Sequence, residues 1–165
     1  MAREYGRIKT AIWDDEDFLA LSTGAQWLYQ LILTQRELNL CGVIRPAFGR
    51  WASFSKDATV RSVKKSAAEL TDALYIIQDD DWDELLARTF VRHDLQHSSP
   101  NIIVGMSQAF DSTHSPVLRE TIICELSKVE HEGVMPSLLR PVPDGDTKPL
   151  RNRLAKGFLK AWENR

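Results

Sequence analysis

The feature that most constrains the fold is an amphipathic helix followed directly by the pattern of a β-hairpin. Between Ala58 and Ala73, apolar residues recur at alternating spacings of three and four, and Asp57 stands where it can cap the helix. The apolar stripe consists of Val60, Val63, Ala67, Leu70 and Leu74. Two short strand-like runs follow, Leu74–Gln78 and Leu85–Val91, separated by an acidic turn. A helix joined to a hairpin in this way predicts a small domain whose core is closed by the hairpin.

The preceding segments complete a recognisable order of elements. A helix is predicted from about Gly24 to Arg36, after capping-box spacing at its start. Leu40–Ile44 suits a brief strand, and Pro46 opens a second helix that runs to about Ser53. Helix, strand, helix, turn, helix and hairpin is the order of the winged helix-turn-helix. We therefore predict a mainly α fold with a small β-hairpin, a winged helix-turn-helix followed by C-terminal helices.

The rest of the chain is predicted to be helical around one linker. Serine–proline pairs at Ser99 and Ser115 each open a helix, and the proline-rich stretch that follows is typical of a linker. The predicted organisation is a winged-helix domain with its N-terminal lead-in at 1–95, a helical extension at 96–132, a linker at 133–148 and an amphipathic basic helix at 149–165.

Charge is unevenly distributed, although the formal net charge is only −2. From Gln35 to Lys65 seven basic residues face two acidic ones. The outer face of the helix at 58–73 is basic, and such a helix fits the major groove, where Arg binds guanine and Lys binds phosphate. The residues predicted to contact DNA are Arg50, Lys56, Arg61, Ser62, Lys64 and Lys65. The alternative interpretation is an ordinary solvated helix face.

The acidic turn at 79–84 departs from this scheme, because its five carboxylates would be repelled by phosphate. Either the hairpin points away from DNA or it binds a basic partner. Trp82, with Asp80 and Asp81 beside it, is a candidate protein contact. The alternative is that Trp82 folds back onto the hairpin.

The last predicted helix has both a basic and an apolar side. Leu154, Phe158 and Trp162 recur at a spacing of four, and six basic residues between Lys148 and Arg165 face one acidic residue. This pattern favours docking on the chain's own core or self-association as a homodimer. The helix could also supply a membrane-surface element or a phosphate contact; of these, phosphate contact is the weaker option that we keep, and no membrane partner is predicted.

Several classes of protein are not indicated. The longest apolar stretches are too short to span a membrane, and the N-terminus does not resemble a signal peptide. Cys41 and Cys124 have no metal spacing and are predicted to be buried thiols of a cytoplasmic protein. His93 and His97 share i, i+4 spacing without the glutamate of a zinc protease. We predict no catalytic residues, no metal site and no cofactor, and therefore a protein that is not an enzyme.

Short stretches of the sequence resemble a family of small proteins. The opening Ala2–Ile8, the pairs Ile12–Trp13 and Asp17–Phe18, and the later Phe90–Arg92 and Ser115–Arg119 are similar to helix-turn-helix proteins of actinobacterial phages and prophages. The resemblance covers roughly residues 2–126. It implies a winged-helix DNA-binding or replication-initiation protein, with duplex or origin DNA as ligand and a helicase or loader as a possible partner. Within the sequence, it carries over only to Arg61, Lys64 and Lys65.

Two functions follow as hypotheses. The first is a DNA-binding module that acts in phage replication initiation or in transcription control. The second is a protein-interaction module that docks on a host or phage protein through its acidic hairpin or its terminal helix. Both hypotheses can hold for one protein.

Overall fold

A computed structural model of the chain describes residues 4–94 and 100–130, which are mainly helical with a small three-stranded antiparallel sheet. A 3₁₀ turn at Thr10–Asp14 precedes the first helix. The helices are α1 (Glu16–Leu19), α2 (Thr23–Leu33), α3 (Phe48–Ala52), α4 (Val60–Asp72), α5 (Phe90–Asp94), α6 (Pro100–Ser112) and α7 (Pro116–Glu130). The strands are β1 (Val43–Ile44), β2 (Ile76–Asp79) and β3 (Glu84–Ala87). The described residues form two compact units, the first up to 38 with 44–87, the second 39–43 with those from 88 on.

The first unit is built around α2, whose apolar side is buried along its whole length. Ser22 caps this helix by accepting a hydrogen bond from the Ala25 amide. Leu28 and Ile32 are fully buried one turn apart, and Trp51 of α3 is fully buried as well. α4 packs against both α2 and α3, so these three helices form one apolar core.

The start of α4 differs from the prediction. Its cap is Thr59 rather than Asp57, because the Thr59 hydroxyl accepts from the Ser62 amide and the chain at Asp57 is still in a turn. The helix therefore begins at Val60, and its first buried residue, Val63, comes about one turn later. Val60 is 45% exposed, so its predicted place in the buried stripe was wrong.

The hairpin forms with shorter strands than the sequence predicted. β2 and β3 pair antiparallel from Ile76 opposite Ala87 to Asp79 opposite Glu84, and the strand order in the sheet is β1–β3–β2. β1 is also limited to two residues of the predicted Leu40–Ile44. β2 does not include Leu74, which lies in the turn after α4 and not in the sheet.

The end of α4 is a Schellman turn with an unusual residue in it. The Leu74 amide donates to the Thr71 carbonyl at 3.0 Å, and the Tyr75 amide donates to the Leu70 carbonyl at 2.9 Å. This geometry places Leu74 at φ 60°, a left-handed conformation that favours glycine. Leu74 is also 56% exposed, so little packing offsets the strain, and the prediction that it joins the buried stripe was wrong.

Leu74→Gly should therefore stabilise the protein, by up to about 1 kcal/mol, because glycine adopts this φ without the clash of a Cβ atom. Chemical denaturation measured by circular dichroism gives the difference in unfolding free energy. The matched control is Ala73→Gly at an ordinary φ of −82°, where the same residue should destabilise by roughly 0.5–1 kcal/mol. An equal effect of both variants would contradict the explanation.

In the second unit, the loop 39–43 packs against helices that come much later in the chain. Gly42 has φ 82°, and a Cβ atom there would lie 2.7 Å from Cβ of Phe90. The Cys41 thiol lies 3.3 Å from the Met106 carbonyl oxygen, to which it donates. Because Phe90 begins α5, the predicted strand Leu85–Val91 is wrong beyond Ala87.

Candidate nucleic-acid interface

The candidate interface is the outer face of α4. The inward side of this helix is buried and consists of Val63, Ser66, Ala67 and Leu70. Successive residues turn by about 100° around a helix axis, so the opposite side is defined by this stripe. Arg61, Lys64, Lys65 and Ala68 lie on the exposed side. The structure therefore brings together three of the residues that the sequence singled out, and the small Ala68 leaves the face open in the following turn.

The charge of this face changes along the helix. Arg61, Lys64 and Lys65 occupy its first two turns, which contain no carboxylate, whereas Glu69 and Asp72 follow in the last turns. The amino end of a helix also carries the positive end of its dipole. The amino-terminal half of α4 is thus the part suited to an anion such as phosphate.

Two contacts hold α4 against α2 at the level of Glu69. Its carboxylate accepts from the Ser22 amide and from the Ser22 hydroxyl, both at 2.6 Å. These hydrogen bonds lower the pKa of Glu69, so the clamp is made by the ionised form. One turn before Glu69 on α4, Ser66 packs closely against Gly24 of α2. A Cβ atom added at Gly24 would lie only 2.8 Å from the Ser66 hydroxyl oxygen. The position of α4 on the core is therefore closely defined.

Lys64 is held from the side by α3. Its Nζ atom lies 5.8 Å from the centre of the Phe48 ring, a cation–π distance. Phe48 in turn packs edge-on against the buried Trp51, with ring centres 5.5 Å apart. An aromatic pair anchored in the core thus restricts the directions that Lys64 can take.

Two predicted contact residues have their polar groups engaged within the protein. Ser62 closes the capping box of α4, since its hydroxyl accepts from the Thr59 amide at 2.9 Å. Arg50 pairs with Glu37 at 2.6 Å, which lowers the pKa of that carboxyl, and donates to Gln35. Lys56 is exposed in the turn that precedes α4. Of the six predicted residues, the three cations of α4 and Lys56 present their charge to solvent most directly.

The tip of the hairpin is strongly acidic. Asp80, Asp81, Trp82 and Asp83 connect the strands, and Asp83 takes a left-handed φ of 55°. Trp82 is 49% exposed, so about half of its surface faces solvent. Asp83 pairs with Arg45, whose Nη2 lies 2.5 Å from its Oδ2. Exposed pairs of this kind add little stability. Because this pair neutralises only one carboxylate, the tip keeps an excess of negative charge.

Sequence reasoning missed two residues that matter to this region. Arg45 offsets part of the charge at the hairpin tip, and Glu69 fixes the position of α4 through Ser22. Arg45 and Asp83 are 38 positions apart, and Ser22 and Glu69 are 47 positions apart. No local spacing in the sequence indicates either pairing. Leu154, Phe158 and Trp162 of the predicted terminal helix, like His97, lie outside the described residues.

Comparison of the chain with family models, with curated proteins and with solved structures finds no match. Among residues 4–94 and 100–130, no helix combines the length and the apolar character that crossing a membrane requires. In the same ranges, no three His, Cys, Asp or Glu side chains come together as metal ligands would. Cys41 and Cys124 are not joined by a disulfide; Cys41 is buried, which raises its pKa to about 12, whereas Cys124 is only partly buried. The candidate interface must therefore be judged on its own geometry.

Proposed function

We propose that this protein binds double-stranded DNA through the outer face of α4, with the first unit acting as a winged helix. The observation that carries the proposal is the exposed cluster of Arg61, Lys64 and Lys65 on the amino-terminal half of a helix that is firmly packed on its other side. A rigid helix with this charge pattern matches the way recognition helices enter the major groove, amino-terminal end first.

The order of elements supports the winged-helix interpretation. α2, β1, α3, α4, β2 and β3 follow one another, and the second hairpin strand lies between β1 and β2 in the sheet. This is the arrangement in which three helices pack together and the hairpin extends the sheet beside the third helix. In that arrangement, the third helix is the one that reads DNA.

The side chains on α4 suit two kinds of contact. Arg61 in the first turn has the forked donors that pair with O6 and N7 of guanine. Lys64 and Lys65 supply point charges for phosphates on either side of the groove. Lys56, in the turn before the helix, is placed to add a further phosphate contact. The short side chain of Ala68 lets the helix approach the base edges closely.

The hairpin does not take part in phosphate binding under this proposal. Asp80 and Asp81 are exposed at its tip, and their charge opposes the approach of a DNA backbone. The first unit therefore grips DNA through α4 and the preceding turn. Its resemblance to phage helix-turn-helix proteins leads us to place it, as part of the proposal, in replication initiation or transcription control in the cytoplasm.

A fluorescence-anisotropy titration with a labelled duplex of about two helical turns tests the proposal. Affinity should fall with salt, because each neutralised phosphate releases counterions; three or four contacts predict a slope of log K against log salt of about −3. The same strands unannealed serve as the control for duplex preference. Absence of binding at low salt, or binding without salt dependence, would contradict the proposal.

A second candidate function rests on the exposed Trp82 among carboxylates. Exposed tryptophans are favoured at protein interfaces, and Asp80 and Asp81 beside it would select a basic partner. In this case the first unit is a protein-interaction module that docks on a replication or host protein. Trp82→Ala would then abolish complex formation while leaving duplex binding unchanged, which separates this function from the first.

A further inference from the structure

The second unit contains a cluster of cations around one buried carboxylate. Glu125 of α7 is only 2% exposed, and three basic side chains converge on it. Arg88 Nη1 and Lys128 Nζ lie 2.9 and 2.7 Å from its Oε1, and Arg92 Nε lies 2.8 Å from its Oε2. Arg88 precedes α5, Arg92 belongs to α5, and Lys128 lies one turn beyond Glu125 on α7. We call these four residues the Glu125 cluster.

Hydrogen bonding within the Glu125 cluster is incomplete on one side. Oε1 accepts from both Arg88 and Lys128. Arg92 Nε is close to Oε2, yet the angle is not that of a hydrogen bond, and neither atom has another hydrogen-bond partner among the described residues. Buried polar atoms are normally paired, and these two atoms are paired with each other only as an ion pair.

The charges of the Glu125 cluster do not balance. One carboxylate faces three cations, which leaves a formal excess of two positive charges among these four residues, each cation lying 2.7–2.9 Å from a Glu125 oxygen. A single arginine would be enough to neutralise Glu125, and each further cation adds repulsion to its neighbours. The cationic side chains are 28%, 36% and 41% exposed for Arg88, Arg92 and Lys128, so they are reachable from solvent. The buried Glu125 carboxylate thus holds three partly exposed cations close together, and these cations form a positively charged site before any ligand binds.

We propose that the Glu125 cluster binds a phosphate group. Phosphate carries up to two negative charges, which matches the excess, and its oxygens accept from both guanidinium and ammonium donors. Arg92 and Lys128 are the direct ligands, because they are the most exposed of the three. Glu125 acts as a positioning residue, because its buried carboxylate pairs with Arg92 and Lys128 and holds them in place. The group comes either from a small phosphomonoester or from a nucleic-acid backbone.

Thermal melting of the full chain in low-millimolar inorganic phosphate, against chloride at matched ionic strength, tests this site. A saturable rise in melting temperature is expected, because a ligand that binds only the folded state stabilises it. Arg92→Gln/Lys128→Gln should weaken phosphate binding by about tenfold or more, since two charged donors are lost. Arg88 still pairs with Glu125 in this variant, so the buried carboxylate keeps a partner and the protein keeps its fold.

The matched control is Arg7→Gln/Lys9→Gln, which removes the same charge from the exposed lead-in and should leave the phosphate-induced shift unchanged. A rise that is identical in both double variants would reflect general exclusion of phosphate from the surface and would overturn the site. No rise in the wild-type protein would overturn it as well.

The source of the phosphate is separated by two further titrations. A nucleoside monophosphate that reproduces the shift, with duplex affinity unaffected by Arg92→Gln/Lys128→Gln, assigns the site to small phosphomonoesters. Weaker duplex binding by the Arg92→Gln/Lys128→Gln variant than by the wild type assigns it to a nucleic-acid backbone. Because the phosphate shift is measured without DNA, its failure and the failure of DNA binding by α4 are independent results.

Discussion

Replacing both Lys64 and Lys65 with glutamate should reduce duplex affinity by about 100-fold or more at low salt, because two phosphate contacts become two repulsions. The slope of log K against log salt should also become shallower by about 2. Both side chains are exposed on α4, so the substitutions leave its buried stripe intact. Anisotropy titrations at several salt concentrations measure the two quantities together.

The control for this variant must change net charge equally. Arg7→Glu/Lys9→Glu does so on the lead-in, where both residues are exposed. Gly6 of the lead-in lies against Leu33, whereas α4 meets the opposite end of α2 at Ser22. These ends are about 16 Å apart at 1.5 Å per residue. A loss of affinity as large in the control would mean that net charge, and not the face of α4, governs binding.

Replacing Glu125 with glutamine should destabilise the protein by about 3 kcal/mol, which is the low end of the range for breaking a buried ion pair. The low end applies because the three cations are partly exposed and can turn towards water. Chemical denaturation followed by circular dichroism measures the change. Because Glu125 positions the phosphate-binding donors, the same substitution should also reduce the rise in melting temperature that phosphate causes.

The control on the same helix is Glu120→Gln, because Glu120 is exposed. It should change the unfolding free energy by less than about 0.5 kcal/mol, as surface substitutions usually do. A loss near this value for Glu125→Gln would mean that the buried carboxylate contributes little to folding. The interpretation of the Glu125 cluster as a preformed site would then lose its structural basis.

The outer face of α4 could be predicted from the sequence because its periodicity is strong over many residues. The inward positions Val63, Ala67 and Leu70 are buried as expected, and this alone fixes which cations point outward. The ends of the helix were less predictable. Thr59 and Asp57 are both capping residues, and the choice between them depends on a hydrogen bond to Ser62 that no spacing reveals.

Tertiary contacts account for the remaining errors. Phe90 and Val91 have the composition of a strand, yet they begin α5, where Phe90 packs on Gly42. The Glu125 cluster was invisible for the same reason, since Arg88 and Glu125 are 37 positions apart. A lone glutamate in a helix is ordinarily solvated, and only its burial in the structure marks it as exceptional.

The loop 39–43 has a consequence for how this chain is synthesised. It emerges from the ribosome early, but its packing partners Phe90 and Met106 are translated only after the whole of the first unit. During that interval Cys41 lacks its cover, and Gly42 holds a left-handed bend without the ring that lies against it. Domains generally fold as they are made. The chain of the first unit is thus interrupted by a segment that packs in the second unit, so a fragment ending at Ala87 would carry that segment without its packing partners.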